Sequence, residues 1–405
     1  MTQLEELELG APAAGGGFVA RDRAGRVLFV RHGLEGERVM ASVTEEHATW
    51  GRADAVEVLE ASPHRVEPPC HFAGPGGCGG CDYQHVELGE QRRIKSALLA
   101  AQLRGVDLSG RVVEVAAAAA GGDGLGTRTR VRFAVDAAGG TAMRRHRSHD
   151  LVAVDRCALG VRGADSVPVA ALGLSLAEGT ELEVMALGGS ASPTVSVITR
   201  SRGRASRLQV LSDPGFAARQ STEVLGRRYV VSPGVFWQVH DRAAELLTDA
   251  VVRGLGLDEG DAVCDLYCGA GLFTKAIAEV VGATGRVHGV DSSRRAIDDA
   301  RASLSELPWA RVTAERVDER SAARASKGCT HVVVDPPRAG IDAGALRAVS
   351  ANLTVRTLVS VSCDAATFAR DLGRLVAQGW RIDDVQALDL FEMTEHLECV
   401  AVLRR

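Results

Sequence analysis

The sequence predicts an α/β protein: a doubly wound domain at the C-terminus, a small β barrel at the N-terminus and a β-rich region between them. Three observations carry this. From about residue 240, short apolar runs alternate with amphipathic helical stretches, the pattern of strands joined by helices. Residues 1–60 hold β-branched runs separated by Gly and charged turns. Residues 61–81 are rich in Pro, Gly and Cys, which no regular element tolerates. The expected partition of the 405 residues is 1–60, 61–230 and 231–405.

In order, GGGFVARD, GRVLFVR, ERVMASVT and DAVEVLEA read as strands of a five-stranded barrel. A helix is expected over 86–104. Alternating strands follow in TRTRVRFAV, GTELEVMAL and PTVSVITRS. The helix DRAAELLTDAVVRGLGL then opens the last domain. Its strands are expected at DAVCDLY, RVHGVD, ARVTAE, THVVVDPP, RTLVSVSC and RIDDVQALDL, with LECVAVLRR closing the chain.

Composition narrows the class. The chain is 46% hydrophobic, too apolar for disorder, and no run reaches the ~18 apolar residues of a membrane helix. The first ten residues, MTQLEELELG, are acidic and lack an apolar core, so no signal peptide is expected and the expected address is the cytoplasm. A net charge of −5 argues against a general nucleic-acid coat but leaves room for a local basic surface. In that compartment nine cysteines imply metal binding, reactivity or packing rather than disulfides.

Three strand ends carry candidate chemistry. In DLYCGAGLFT, Gly269 and Gly271 let the backbone turn tightly and approach a ligand at a helix N-terminus. Asp291, about 20 residues on, ends the next strand where a carboxylate can accept from ribose hydroxyls. Thr274 stands where a dinucleotide fingerprint has its third Gly, which favours S-adenosylmethionine over NAD. In VVVDPPRAG, Asp335 is left at the carboxyl edge of the sheet by two prolines that stop the ladder. In SVSCDAATF, Cys363 lies between a strand and a helix start, capped by Asp364 or Ser362, where a lowered thiol pKa is expected. Glu398 enters the last strand on the face opposite Leu397, Cys399 and Ala401, a costly place for an unused carboxylate.

Cys70, Cys78 and Cys81 in the Gly/Pro loop, with Cys157 about 75 residues later, suit tetrahedral sulfur ligation of zinc or of a 4Fe–4S cluster. Cys264, Cys268, Cys329 and Cys399 read as packing residues. Between 128 and 147 six arginines (Arg128, Arg130, Arg132, Arg144, Arg145, Arg147) accompany one Asp, and the first three would share a strand face able to contact phosphate.

The order of DLYCGAGLFT, VVVDPPRAG, SVSCDAATFARDL and the terminal HLE resembles the RNA uracil-5-methyltransferase family, whose members form 5-methyluridine in transfer and ribosomal RNA. The front end is similar to a TRAM domain, an OB-like RNA-binding barrel, and SPGVFWQVH resembles the family's SPxxFxQxN segment, with His240 in place of Asn. The resemblance implies a Rossmann-like class I methyltransferase domain, with Gln238 and Tyr267 at cofactor positions. It implies Cys363 as nucleophile to uracil C6, Glu398 as the base that removes the C5 proton, and Asp335 between base and S-adenosylmethionine. The target uridine would be flipped out of its stack. CGGCDYQH resembles the cluster-bearing branch, which implies a 4Fe–4S cluster on the four cysteines, although the first gap is seven residues where about five is usual. A monomer acting on ribosomal or transfer RNA is expected. Two other readings remain: an iron–sulfur RNA-binding protein with an inactive transferase domain, and a DNA or small-molecule methyltransferase with a zinc knuckle.

Overall fold

The computed structural model describes residues 4–108, 110–172, 174–188, 192–199, 207–211 and 216–405. The first sheet comprises β1 (Leu4–Glu8), β2 (Pro12–Ala13), β3 (Gly17–Arg21), β4 (Val27–Arg31), β5 (Arg38–Glu46) and β6 (Trp50–Glu60), in the order β1-β5-β6-β4-β3-β2. It has six strands where five were expected: the four runs named in the sequence fall on β3 to β6, and β1 and β2, joined by a short link, precede them. The short link donates in both directions, Leu9 N–H to the Glu37 carbonyl and Gly10 N–H to the Val19 carbonyl. Among the described residues no ladder joins β1 to β2, the two ends of the order. Phe18, Leu28, Val30 and Val39 fill the interior, with Tyr83 and Ile94 from the segment that follows.

Helix α1 (Leu88–Gln102) serves two cores. Ile94 packs under the first sheet, whereas Leu99 joins the core of the C-terminal sheet. The same segment then gives β7 (Val115–Ala117), which adds to the C-terminal sheet beside the strand over Arg381–Asp389. Strands β8 (Arg130–Val135), β9 (Thr141–Arg144), β10 (Leu151–Ala153), β11 (Glu181–Met185), β12 (Thr194–Thr199) and β13 (Arg207–Val210) form an antiparallel sheet in the order β10-β9-β8-β11-β12-β13. A hairpin follows, β14 (Gln220–Val224) and β15 (Arg227–Val231), turning on Leu225-Gly226 with positive φ at both residues, as two-residue turns require.

The C-terminal elements are α2 (Ala243–Leu255), β16 (Ala262–Leu266), α3 (Leu272–Val281), β17 (Arg286–Asp291), α4 (Arg294–Ser303), β18 (Ala310–Ala314), α5 (Glu319–Ala325), β19 (His331–Val334), α6 (Ala343–Ala351), β20 (Thr357–Ser362), α7 (Ala365–Ala377), β21 (Arg381–Asp389) and β22 (Glu398–Arg404). The eight-stranded sheet runs β18-β17-β16-β19-β20-β22-β21-β7; β16 to β20 are parallel, and β22 is inserted antiparallel to both neighbours. Helices cover both faces, so the central strands read as unbroken apolar runs while still alternating. Cys264, Leu266, Val332, Val334 and Leu358 enter one core; Val263, Val333 and Val359 enter the other. This is the doubly wound α/β architecture expected of the C-terminal domain. No described helix is long and apolar enough to cross a membrane.

Candidate active site

Parallel strands put their carboxyl ends at one edge, and four acidic groups gather there. Asp265 is the penultimate residue of β16 and is fully buried. Its Oδ2 accepts from Thr274 Oγ1 at 2.5 Å, while its Oδ1 has no partner. Burial, reinforced by the charges of Asp335 and Asp291, pushes it up to about 7. Tyr267, Gly269 and Gly271 then take φ of 65°, 53° and 84°. A side chain on Gly269 would meet nothing within 4 Å, so the loop backbone lies open to a ligand. A Cβ on Gly271 would press on Ala300 at 3.1 Å, so this glycine serves packing against α4. Tyr267 turns its hydroxyl to accept from Asp342 N–H at 3.0 Å, at the start of α6.

Asp291 ends β17. One oxygen accepts from Gly269 N–H at 3.1 Å and the other from Ser293 N–H at 2.7 Å, so it braces the Gly loop. Asp335 follows β19, its N–H donating to the Leu266 carbonyl at 3.3 Å. Burial, then the charge of Asp291, raises it to about 7.

Cys363 follows β20, and Asp364 caps α7 by accepting from Thr367 N–H at 2.8 Å. The ladder between β20 and β22 ends at Ser362 opposite Cys399, so Cys363 and Glu398 stand opposite each other one step further on. Glu398 is 3% exposed, which removes the reading of a surface glutamate. Its carboxyl is pushed well above the usual range by burial and by Asp335, against the pull of Arg338. The lowered thiol pKa expected from the helix start is not observed. Burial, Glu398 and Asp335 outweigh Arg338 and raise Cys363 to about 11. Arg338, in the DPPR motif, is the cation that acts on both Cys363 and Glu398. Neither it nor Asp265 was singled out in the sequence; both signals lay inside motifs read for their other residues.

Gln238 sits elsewhere. It lines a cavity of about 1030 Å³ with Trp237, His240 and Thr129, which Tyr267, Gly269 and Asp335 do not line. The segment is fixed by Ser232, whose N–H and hydroxyl donate to the two oxygens of Asp299 on α4, each at 2.7 Å. His240 accepts from Arg242 N–H at 3.0 Å and lies 3.2 Å from Glu392.

Cys70, Cys78, Cys81 and Cys157 come together around one cavity of about 240 Å³. Among the described residues no three His, Cys, Asp or Glu side chains are placed to hold a single metal ion. Burial raises Cys78 and Cys157, and brings Cys81 to about 12, with Arg128 opposing in each case. The other four cysteines are buried packing residues, as expected.

The arginines divide. Arg128, Arg130 and Arg132 line both the cysteine cavity and an adjoining groove of about 520 Å³ that reaches Arg338 and the 62% exposed ring of Phe236. Strand β8 begins only at Arg130. Arg130 is braced inward, donating to the Val235 carbonyl at 2.6 Å, and Arg132 forks onto one oxygen of Glu183 at 3.1 and 3.0 Å. Arg144 is 3.5 Å from Glu181. Arg145 and Arg147 line a second groove of about 670 Å³ with Arg31 and Arg52 of the first sheet. Phe236 is the aromatic of the SPGVFWQVH segment, to which no role was assigned from the sequence.

The fold and this carboxylate–thiol edge define a class I transferase built for a small cofactor at the Gly loop. Residues 183–405 match the tRNA (uracil-5-)-methyltransferase family, to which the chain belongs. An uncharacterized RNA methyltransferase of Streptomyces avermitilis is 41% identical, the match covering 98% of this chain and 97% of that one. The 23S rRNA (uracil(1939)-C(5))-methyltransferase RlmD of Chromohalobacter salexigens is 31% identical over 96% of this chain and 86% of its own. The tRNA (uracil-54, C5)-methyltransferase of Pyrococcus abyssi, solved with S-adenosyl-L-homocysteine, superposes with a TM-score of 0.73 at 22% identity, covering 98% of this chain and 100% of that one.

Proposed function

We propose that this chain methylates C5 of a uridine in ribosomal or transfer RNA through a covalent bond between Cys363 and C6. The observation that carries it is the cross-strand placement of Cys363 and Glu398 beside Asp335 and Arg338. Bound S-adenosylmethionine supplies the methyl group. The residues that would hold it are Gly269 and Gly271, Asp291, Asp335 and Tyr267, whereas Gln238 lines a different cavity. The open face of Gly269 and the unpartnered buried oxygen of Asp265 suit such a ligand.

Cys363 first gives its proton to a neighbouring carboxylate. Its sulfur bonds to C6, and the C5–C6 pair of electrons makes C5 nucleophilic. Once C5 carries the methyl group, Glu398 removes the C5 proton. The double bond reforms, the C6–S bond breaks, and the electron pair returns to sulfur. The reaction releases one proton overall, the one that left C5. Arg338 stabilises the negative sulfur at both ends of this sequence.

The first sheet serves as a TRAM-like RNA-binding module, with the grooves bearing Arg128, Arg132, Arg145 and Arg147 as the phosphate track. A 4Fe–4S cluster fits the cysteine cavity better than zinc. A zinc ion needs sulfurs converging to about 2.3 Å on one point, whereas these four residues line a cavity of about 240 Å³. Arg128 offsets part of the negative charge of such a site.

The test is transfer of tritiated methyl groups to unmodified 23S rRNA and tRNA transcripts, with the product nucleoside identified as 5-methyluridine. Glu398→Gln should leave an RNA–protein adduct on a denaturing gel. Full activity without an adduct would assign the base to another residue. Anaerobically purified protein should absorb near ~400 nm; a colourless protein carrying zinc would overturn the cluster.

A further inference from the structure

The connection between β21 and β22, residues 390–397, ends at Glu398 and is held by the N-terminal half of the chain. The Met393 carbonyl accepts from Asp82 N–H at 2.8 Å and from Tyr83 N–H at 3.0 Å. Met393 N–H donates to Gln91 Oε1 at 2.9 Å, and Gln91 Nε2 donates to the Tyr83 and Val86 carbonyls at 3.0 and 2.9 Å. Glu395 N–H donates to Asp82 Oδ2 at 3.2 Å, and the Glu395 carboxylate accepts from Gly15 and Gly16. Lys95 donates to the Phe391 carbonyl at 3.0 Å. Met393 is kept at φ 62°, a left-handed conformation that costs a side-chain-bearing residue roughly 1–2 kcal/mol. Such a residue persists where its surroundings over-determine it. Here they do, through both of its backbone polar groups.

Asp82 directly follows Cys81, and its second oxygen meets Arg31 at 3.3 Å. Gln91 is fully buried. The cysteine loop, the first sheet and α1 therefore meet on one short connection whose far end is Glu398. The Glu398 backbone is held from one side by pairing with Leu388 and from the other by this clasp.

We propose that Asp82 and Gln91 are positioning residues for the reaction: they seat the 390–397 connection so that Glu398 meets the C5 proton, and they make the cysteine loop a determinant of that step. This rests on Glu398 being the base. The clasp touches neither Cys363 nor the Gly loop, so it governs the late proton removal and leaves nucleophilic addition intact.

The test compares Gln91→Leu, Asp82→Ala and Glu398→Gln on the transcript that the wild-type protein methylates. The expected result is a turnover loss on the order of 10²-fold in Gln91→Leu, as a misplacement of about 1 Å produces, with RNA affinity held and covalent adduct accumulating as in Glu398→Gln. Asp82→Asn, which keeps an acceptor for Glu395 N–H, should restore turnover lost in Asp82→Ala. Asp82 is partly exposed, so this pair reads the clasp even where Gln91→Leu does not fold. An adduct in Glu398→Gln but in neither clasp variant overturns the inference alone. Absence of an adduct in Glu398→Gln overturns the assignment of the base and the inference with it.

Discussion

Cys363 and Glu398 face each other across two antiparallel strands, one step beyond the last paired residues, Ser362 and Cys399. Residues paired in such a ladder have Cβ atoms about 4.5–5.5 Å apart, and continuation of the register by one step brings this nucleophile and base towards one small ring. Burial first, and then the charge of Glu398, keep the thiol protonated in the free protein.

The thiol therefore has a measurable signature. With Cys363 raised to about 11, about one molecule in 10⁴ carries the thiolate at pH 7. Iodoacetamide labelling of Cys363, followed by peptide mapping, should quicken about tenfold per pH unit from 7 towards 10. Arg338→Ala removes the opposing cation and should slow it further. Rapid labelling at pH 7 would show an ionised thiol and refute this electrostatic account.

Burial and the charge of Asp291 raise Asp335, and burial and the charge of Asp335 raise Glu398, each penalising the charged form. A cation beside them favours those charged forms, so its binding expels a proton. S-adenosylmethionine affinity should therefore rise as pH increases through about 7, the value to which Asp335 is raised. S-adenosylhomocysteine lacks the sulfonium charge and should show a flatter profile. Calorimetry from pH 6 to about 8 in two buffers reads both the affinity and the proton released. Parallel profiles for the two ligands would place the sulfonium away from these carboxylates.

Much of this was legible in the chain itself. The β16–β22 strands follow runs such as VVVDPP and RTLVSVSC, and the period-2 alternation that set Glu398 apart from Leu397 and Cys399 holds: Leu397 and Cys399 enter one core and Val400 the other. Local pattern could not show that β7 crosses to the C-terminal sheet, since three residues carry no period and the partner strand is more than 250 residues away. Nor could it show the sign of the thiol shift. The helix start at Asp364 is a local feature, but Glu398, whose charge opposes it, arrives through a long-range pairing. The inward brace of Arg130 was hidden for the same reason: Val235 is distant in sequence.

Tyr267 separates a structural bond from a binding role. Tyr267→Phe removes the acceptor for Asp342 N–H and should cost about 1 kcal/mol of stability. The ring remains, so cofactor affinity should change less than twofold, about 0.4 kcal/mol. A large affinity loss in the folded variant would assign the hydroxyl itself to the ligand.

Lys95 and Asp389 form an ion pair with both side chains wholly buried, Nζ to Oδ1 at 2.5 Å, and the other Asp389 oxygen has no partner. Burial pulls the lysine below its ordinary value and pushes the aspartate above its own, and each partner's charge opposes that shift in the other. Removing one partner leaves an uncompensated charge in a dry site, a loss of about 3–5 kcal/mol. Lys95→Met should therefore lower the urea midpoint sharply. Lys95→Met combined with Asp389→Leu replaces both charges by apolar groups and should recover most of the loss, because the pair's attraction roughly balances its desolvation. If the double variant is as unstable as the single one, the packing around α1, rather than the stranded carboxylate, sets the cost.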